Sequence, residues 1–186
     1  DSKKVPDFMV EENFEYLGSE DIDTSRYISR EFFEKEKECM WTRVWQFACR
    51  VEDIPEVGDS LVYDILDWSF LIVRSDKNTI KAFYNSCLHR GRRIKTERGF
   101  GNQLECPFHG FCWHLDGSLK FTPAPWDFAH IKDRDFSLPE VRVEIWQGFV
   151  FINMDDNAVS LEEYLDPIPE HHKRWDLGNC KKVIHV

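Results

Sequence analysis

Cys87-Leu88-His89 and, after sixteen intervening residues, Cys106-Pro107-Phe108-His109 put one sulfur and one nitrogen donor on each of two short segments. A structural zinc site more often groups its ligands as a cysteine pair followed by a histidine pair. The mixed order suits a binuclear iron–sulfur centre, with both thiolates on one iron, both imidazoles on the other and sulfides between them. Gly91 and Gly110 close the two segments in matching places, just past the histidines. They allow sharp turns that bring backbone amides toward an anionic group, and Pro107 stiffens the second segment at a fixed φ. Two other readings stay open. The Cys/His pairs can be unrelated residues in turns, or Cys106, His109, Cys112 and His114 can form a four-ligand zinc set on one hairpin. The zinc set leaves Cys87 and His89 without a role.

Cys87-Leu88-His89-Arg90-Gly91 and Cys106-Pro107-Phe108-His109-Gly110 resemble the two cluster loops of the Rieske non-haem iron oxygenases, the aromatic ring-hydroxylating family, in the N-terminal Rieske portion of the α subunit. The resemblance implies a Rieske [2Fe–2S] cluster held by Cys87, His89, Cys106 and His109. It also implies a ferredoxin or reductase as electron donor, and a homotrimer in which a cluster serves the neighbouring subunit's iron. A full α subunit would continue into a catalytic domain whose mononuclear iron, on two histidines and a carboxylate, activates O₂ for hydroxylation or demethylation. That domain is expected to be missing here, so no catalytic residue is assigned. His171, His172 and Asp176 are late residues of suitable type, and neighbouring histidines face different directions on a helix or strand. They read as surface residues; His114, His130 and His185 read as structural.

Two departures bear on the reduction potential. Arg92 and Phe108 stand where the high-potential respiratory type carries an extra cysteine in each loop, so no disulfide lock can form. Phe111-Cys112-Trp113 stands where the oxygenase pattern continues Trp-x-Tyr. Losing a phenol beside a cysteine ligand lowers the potential unless the Trp113 indole N–H substitutes for it.

Bulk properties narrow the partners. The 186 residues carry a formal net charge of −10, which argues against nucleic acid. No apolar run approaches the ~20 residues of a membrane span and no signal-peptide core is visible, so a cytoplasmic protein is expected. Six cysteines (39, 49, 87, 106, 112 and 180) lack the regular spacing of a disulfide scaffold and read as reduced. Arg90, Arg92, Arg93, Lys95 and Arg98, opposed only by Glu97, form a basic patch after the first loop. It is either a solvated surface or a docking site for an acidic electron donor.

The elements that must position these residues are mostly strands. Residues 1 to about 24 read as an extended arm. A helix follows, with Ser29 as N-cap, Ile28 and Phe33 as a hydrophobic staple, and Phe33, Met40, Trp41 and Val44 along one face. Trp41 and Trp45 are assigned to packing. Strands are expected at Ser60–Leu66, Ser69–Arg74 and Thr79–Tyr84, with a turn at Asp76-Lys77-Asn78. Gln103–Cys106 and Cys112–Leu115 flank the second loop, and Asp116-Gly117 closes the next hairpin. Val141, Val143 and Ile145 mark a half-buried strand, and Phe149–Ile152 a central one. Pro123, Pro125 and Pro139 bracket a surface loop. No long helix interrupts the strands, so the fold class is mainly β, with antiparallel sheets and a two-loop cluster subdomain after an N-terminal helix. The expected organisation is an arm and helix over 1–46, a Rieske [2Fe–2S] domain over 47–155, and over 156–186 a linker with a short helix at Ser160–Leu165 and a strand-like end. A free-standing Rieske ferredoxin would need neither the Trp41/Trp45 helix nor this tail; a structural zinc module is the third reading.

Overall fold

The computed structural model describes residues 18–131 and 134–183; the arm before residue 18, His185 and the end of the expected tail strand lie outside the described residues. The chain divides into two compact units after Glu34. A single turn, α1 (Ser25–Ile28), precedes α2 (Arg30–Glu36). Ser29 caps α2 as expected, its Oγ accepting from the Phe32 amide at 3.2 Å. The staple does not form as a buried contact. Ile28 is 83% exposed, and the Phe33 ring lies beneath the Arg30 guanidinium instead.

The α-helix is also shorter than its periodicity suggests. From Lys37 to Trp41 the backbone widens into a π turn. Thr42 Oγ1 donates to the Glu38 carbonyl at 2.9 Å, the kind of side-chain competition that loosens a helix end.

The second unit is built around a seven-stranded sheet and a three-stranded one. In sequence the strands are β1 (Gln46–Arg50), β2 (Asp59–Ile65), β3 (Trp68–Asp76), β4 (Thr79–Tyr84), β5 (Gly99–Phe100), β6 (Leu104–Glu105), β7 (Cys112–Trp113), β8 (Leu119–Phe121), β9 (Glu140–Trp146) and β10 (Phe149–Asn153). The large sheet runs β1-β10-β9-β4-β3-β2-β5 and the small one β6-β7-β8. Every pairing is antiparallel, as the absence of helical crossovers in the sequence requires. β9 joins the two halves of the large sheet. Val141 and Glu140 pair with β4, and Arg142 to Trp146 pair with β10.

β3 explains why the sheet has two cores. Phe70, Leu71, Ile72 and Val73 are all fully buried, which is only possible with both faces covered. Period-two alternation sends Phe70 and Ile72 into a core with Ile54, Ala82, Val150 and Ile152. It sends Leu71 and Val73 into a second core with Phe83, Leu104, Phe111, Trp113 and both candidate cysteines. The expected half-burial of the ninth strand holds at Val141 but fades along it, and Ile145 is 48% exposed. β10 is interior to the sheet, although β4 is the middle strand.

After β10, Ser160 caps the short helix α3 (Leu161–Leu165), accepting from the Glu163 amide at 3.2 Å. Leu161 and Leu165 pack on Trp45, whose indole donates to the Val159 carbonyl at 3.0 Å, so Trp45 is a packing residue. The tail differs from the strand-like expectation. Residues past Pro167 form α4 (Ile168–His172) and a 3₁₀ turn at Leu177–Asn179, and no strand occurs among the described residues there.

Gly117 ties the small sheet to the large one. It closes the β7–β8 hairpin at φ +87°, its carbonyl accepts from the Leu138 amide, and a Cβ there would lie 2.4 Å from the Phe83 ring. Gly117→Ala should cost about 2–5 kcal/mol, combining left-handed backbone strain with overpacking. Gly110→Ala, at φ +75° with nothing within 4 Å of the added carbon, should lose only the ~1–2 kcal/mol of backbone strain. Denaturant unfolding of both variants checks this; equal losses would show that Phe83 yields without cost.

Candidate metal centre

The two loops that carry the Cys/His pairs are built on one backbone turn. In the first, the Gly91 amide donates to the Cys87 carbonyl and the Cys87 amide to the Arg92 carbonyl, both at 2.8 Å. In the second, the Gly110 amide donates to the Cys106 carbonyl at 3.0 Å and the Cys106 amide to the Phe111 carbonyl at 2.9 Å. Gly91 and Gly110 sit at φ +71° and +75°, each four residues after its cysteine, in a conformation glycine adopts without steric cost. On this common turn His89 occupies the second position after the cysteine and His109 the third.

The four side chains meet as two pairs. Cys87 and Cys106 are 3% and 1% exposed, inside the second core, and their thiols adjoin. The imidazoles of His89 and His109 lie with ring centroids 4.9 Å apart, inclined by 62°. Phe111 and Phe128 flank His89 at 4.9 and 5.3 Å, whereas His109 is exposed and stacked by Phe108 at 3.8 Å. Burial pushes the Cys87 thiol above its ordinary value and the Cys106 thiol adds to this, while the backbone amides of His89 and Arg90 favour the thiolate. Burial, then His109 and Arg90, hold His89 below its ordinary value, which favours the neutral ring.

One atom tests whether this arrangement fits a metal. His89 Nδ1 is buried and has no hydrogen-bond partner, a costly state for a polar atom unless something else satisfies it. A metal ion would, and the buried adjoining thiols supply the soft donors that iron–sulfur chemistry uses. The residues fit the group.

The zinc set fares worse. Cys112 Sγ donates to the Gly110 carbonyl at 3.4 Å and accepts from Gln103 Nε2 at 3.7 Å, and His114 is exposed. Among the described residues no three His, Cys, Asp or Glu side chains converge as a single-ion site, which a binuclear two-plus-two centre does not need. His171, His172 and Asp176 do not assemble either. His172 Nδ1 contacts the Ile168 carbonyl at 3.0 Å, and Asp176 accepts from Asn179 at 2.6 Å.

Three features escaped the sequence. The proline-bracketed loop returns Phe128 to the side of His89 and Phe136 onto Trp113. The Trp113 indole N–H donates to the Phe136 carbonyl at 2.9 Å, so it is committed to that loop. The basic patch is also not one surface. Arg93 pairs with Asp64 at 2.8 Å and Arg98 lines a groove with Asp53 and Lys182. Arg90 and Arg92 stay exposed, and Arg92 lines a cleft with Pro107 and Phe108.

Comparison with known proteins agrees with this geometry. Residues 44–132 match the Rieske [2Fe-2S] domain family. The chain carries a Rieske [2Fe–2S] domain. The α subunit of 2-aminobenzenesulfonate 2,3-dioxygenase from Alcaligenes sp. is 32% identical over 178 residues, covering 92% of this chain and 44% of that one. The carnitine monooxygenase oxygenase subunit of Escherichia coli (strain K12) is 34% identical over 167 residues, covering 88% and 45%. Among solved structures, the quaternary ammonium Rieske monooxygenase CntA superposes with a TM-score of 0.77 at 29% identity, over 87% of this chain and 46% of that one. Naphthalene 1,2-dioxygenase superposes at 0.72 with 28% identity, over 78% and 33%. The chain thus spans less than half the length of these relatives and matches the N-terminal portion of Rieske oxygenase α subunits. No described helix is long and apolar enough to cross a membrane.

Thiol chemistry offers a direct check of the site's burial. Cys39 and Cys180 are exposed; Cys49 is 5% exposed, with burial and then Asp53 pushing its thiol up to about 12. Near pH 8 such a thiol is ionised in roughly one molecule in ten thousand. Alkylation of the folded protein should therefore modify Cys39 and Cys180 rapidly and leave Cys49, Cys87, Cys106 and Cys112 until unfolding. Peptide mapping that finds Cys49 labelled as fast as Cys180 contradicts this burial.

Proposed function

We propose that Cys87 and Cys106 hold one iron of the cluster as thiolates and that His89 and His109 hold the other, His89 through Nδ1. The orphaned Nδ1 of His89 beside two buried, adjoining thiols carries this reading. The cluster supplies one-electron transfer. The chain's own residues determine what reaches it: the second core keeps water from the cysteines, Phe111 and Phe128 shelter His89, and His109 is left accessible.

The electron-relay portion of an oxygenase α subunit is the function best supported. The relatives are oxygenase components, and Trp45 anchors α3, an element a lone carrier would not need. Substrate chemistry then belongs to the part of the relatives that this chain does not cover. It would centre there on a mononuclear iron and amount to hydroxylation or demethylation of a substrate recognised outside the region described. A solved quaternary ammonium Rieske monooxygenase in which electrons pass between subunits supports a relay from one subunit to the next, and the homotrimer is what the resemblance of the cluster loops implies. The donor, a ferredoxin or reductase, would dock on the face formed by Leu88, Arg90, Arg92, Pro107 and Phe108.

Three measurements test these assignments. The purified chain should contain about two iron and two acid-labile sulfide per polypeptide, and Cys87→Ser or His89→Ala should lose them; zinc without sulfide would sink the assignment. With the Trp113 indole bound to Phe136 rather than to a ligand sulfur, the potential should lie toward the ~−150 mV end of the Rieske range. A strongly positive midpoint in redox titration would contradict it. Arg92→Glu should slow reduction by an acidic donor roughly tenfold at low ionic strength and flatten its salt dependence, whereas Arg93→Gln, which removes a charge already paired with Asp64, should do much less. Equal effects in stopped-flow reduction would overturn the docking face.

A further inference from the structure

The two cluster loops share one turn but are not anchored alike. Behind the second loop stands a β ladder, with Glu105 paired to Cys112 and Leu104 to Trp113. Behind the first there is none: β4 ends at Tyr84, and among the described residues no backbone hydrogen bond joins 85–86 to 93–95. The gap is filled by one side chain. Asn85 is 2% exposed. Its Oδ1 accepts from the amides of both Ile94 and Lys95 at 3.0 Å. Its Nδ2 donates to the Lys95 carbonyl at 2.8 Å and to Ser69 Oγ at 3.0 Å, while its own amide donates to the Ser69 carbonyl at 2.9 Å. An asparagine amide can make four such bonds, and here all four are made.

This pattern has a purpose beyond satisfying a buried group. It clamps residues 94–95 beside residue 85, closing the neck of the loop that carries Cys87 and His89, and ties that neck to β3 through Ser69. Ile94 is thereby held in the same core as Cys87 and Cys106. We propose that Asn85 is the positioning residue of the first cluster loop, its amide standing in for the β ladder that the second loop has and the first lacks. The proposal rests on the ligand assignment made above. Asn85 touches no candidate ligand directly; it acts by fixing the segment from which two of them project.

Amide hydrogen exchange and cluster spectroscopy on the same chain test it. In Asn85→Ala the Ile94 and Lys95 amides should exchange about tenfold faster or more. The Cys106 and Gly110 amides of the ladder-backed loop should keep their protection. The reduced cluster's EPR g values and midpoint potential should shift even where the fold survives, as a purely structural loss of stability would not make them do. Asn85→Asp keeps both acceptor bonds and gives up the donor bond to the Lys95 carbonyl, so it should retain slow exchange at Ile94 and Lys95 and restore most of the cluster signal; it also serves if the alanine variant does not fold. Unchanged exchange at Ile94 and Lys95 in folded Asn85→Ala, or fast exchange in Asn85→Asp, overturns the proposal. So do unchanged g values and potential in a folded Asn85→Ala chain. A wild-type chain that binds no iron and sulfide instead overturns the ligand assignment, and the exchange comparison still reads the clamp.

Discussion

Burial on both faces of β3 is the constraint from which the site follows. A strand whose four central side chains are all sequestered must have a layer on each side, and here the two layers are different. One is the curled sheet itself. The other is the small sheet with its loops, and Cys87 and Cys106 are members of that layer rather than guests on its surface. The two candidate ligand sulfurs are therefore held by the same apolar contacts that hold Leu71, Phe83 and Trp113. A cavity opened anywhere in this layer is felt at the sulfurs, because a close-packed interior has no slack to absorb it.

Much of this was legible in the sequence, for identifiable reasons. The Cys/His quartet was visible because metal ligation demands particular atoms at short spacing, independent of what surrounds them. The hairpins around 60–84 were visible because alternation and turn residues are local signals. β1 and β5 were not. Phe47 points outward from β1 at 47% exposure, and β5 is two residues defined only by pairing with β2. Asn85 was invisible for a related reason: an asparagine before a turn looks like an ordinary turn former, and its bonds to Ile94, Lys95 and Ser69 exist only once three separate segments meet. Phe128 lies in a stretch whose prolines announce a loop and say nothing about where that loop returns.

The basic patch shows the opposite error, a pattern that is plain in the sequence and partly dissolves in space. Arg93 and Arg98 lie within six residues of Arg92 yet answer to Asp64 and Asp53 on other strands and turns. Charges adjacent along a chain in extended loop conformation spread over several faces, so a count of like charges overstates the field any one partner meets. What remains is a small face of mixed character, with the Arg92 guanidinium next to Pro107 and Phe108, and an exposed Arg90 beside His89 in sequence.

The common turn of the two cluster loops separates two kinds of information. Cysteine and the glycine four residues later write the shape, identically in both loops. Histidine, at the second place in one and the third in the other, writes only an address on that shape. Cys-x-His and Cys-x-x-His therefore do not describe a short loop and a long one. They describe one turn used twice with its imidazole moved by a single step, and that step sets one histidine against Phe111 and Phe128 and leaves the other accessible.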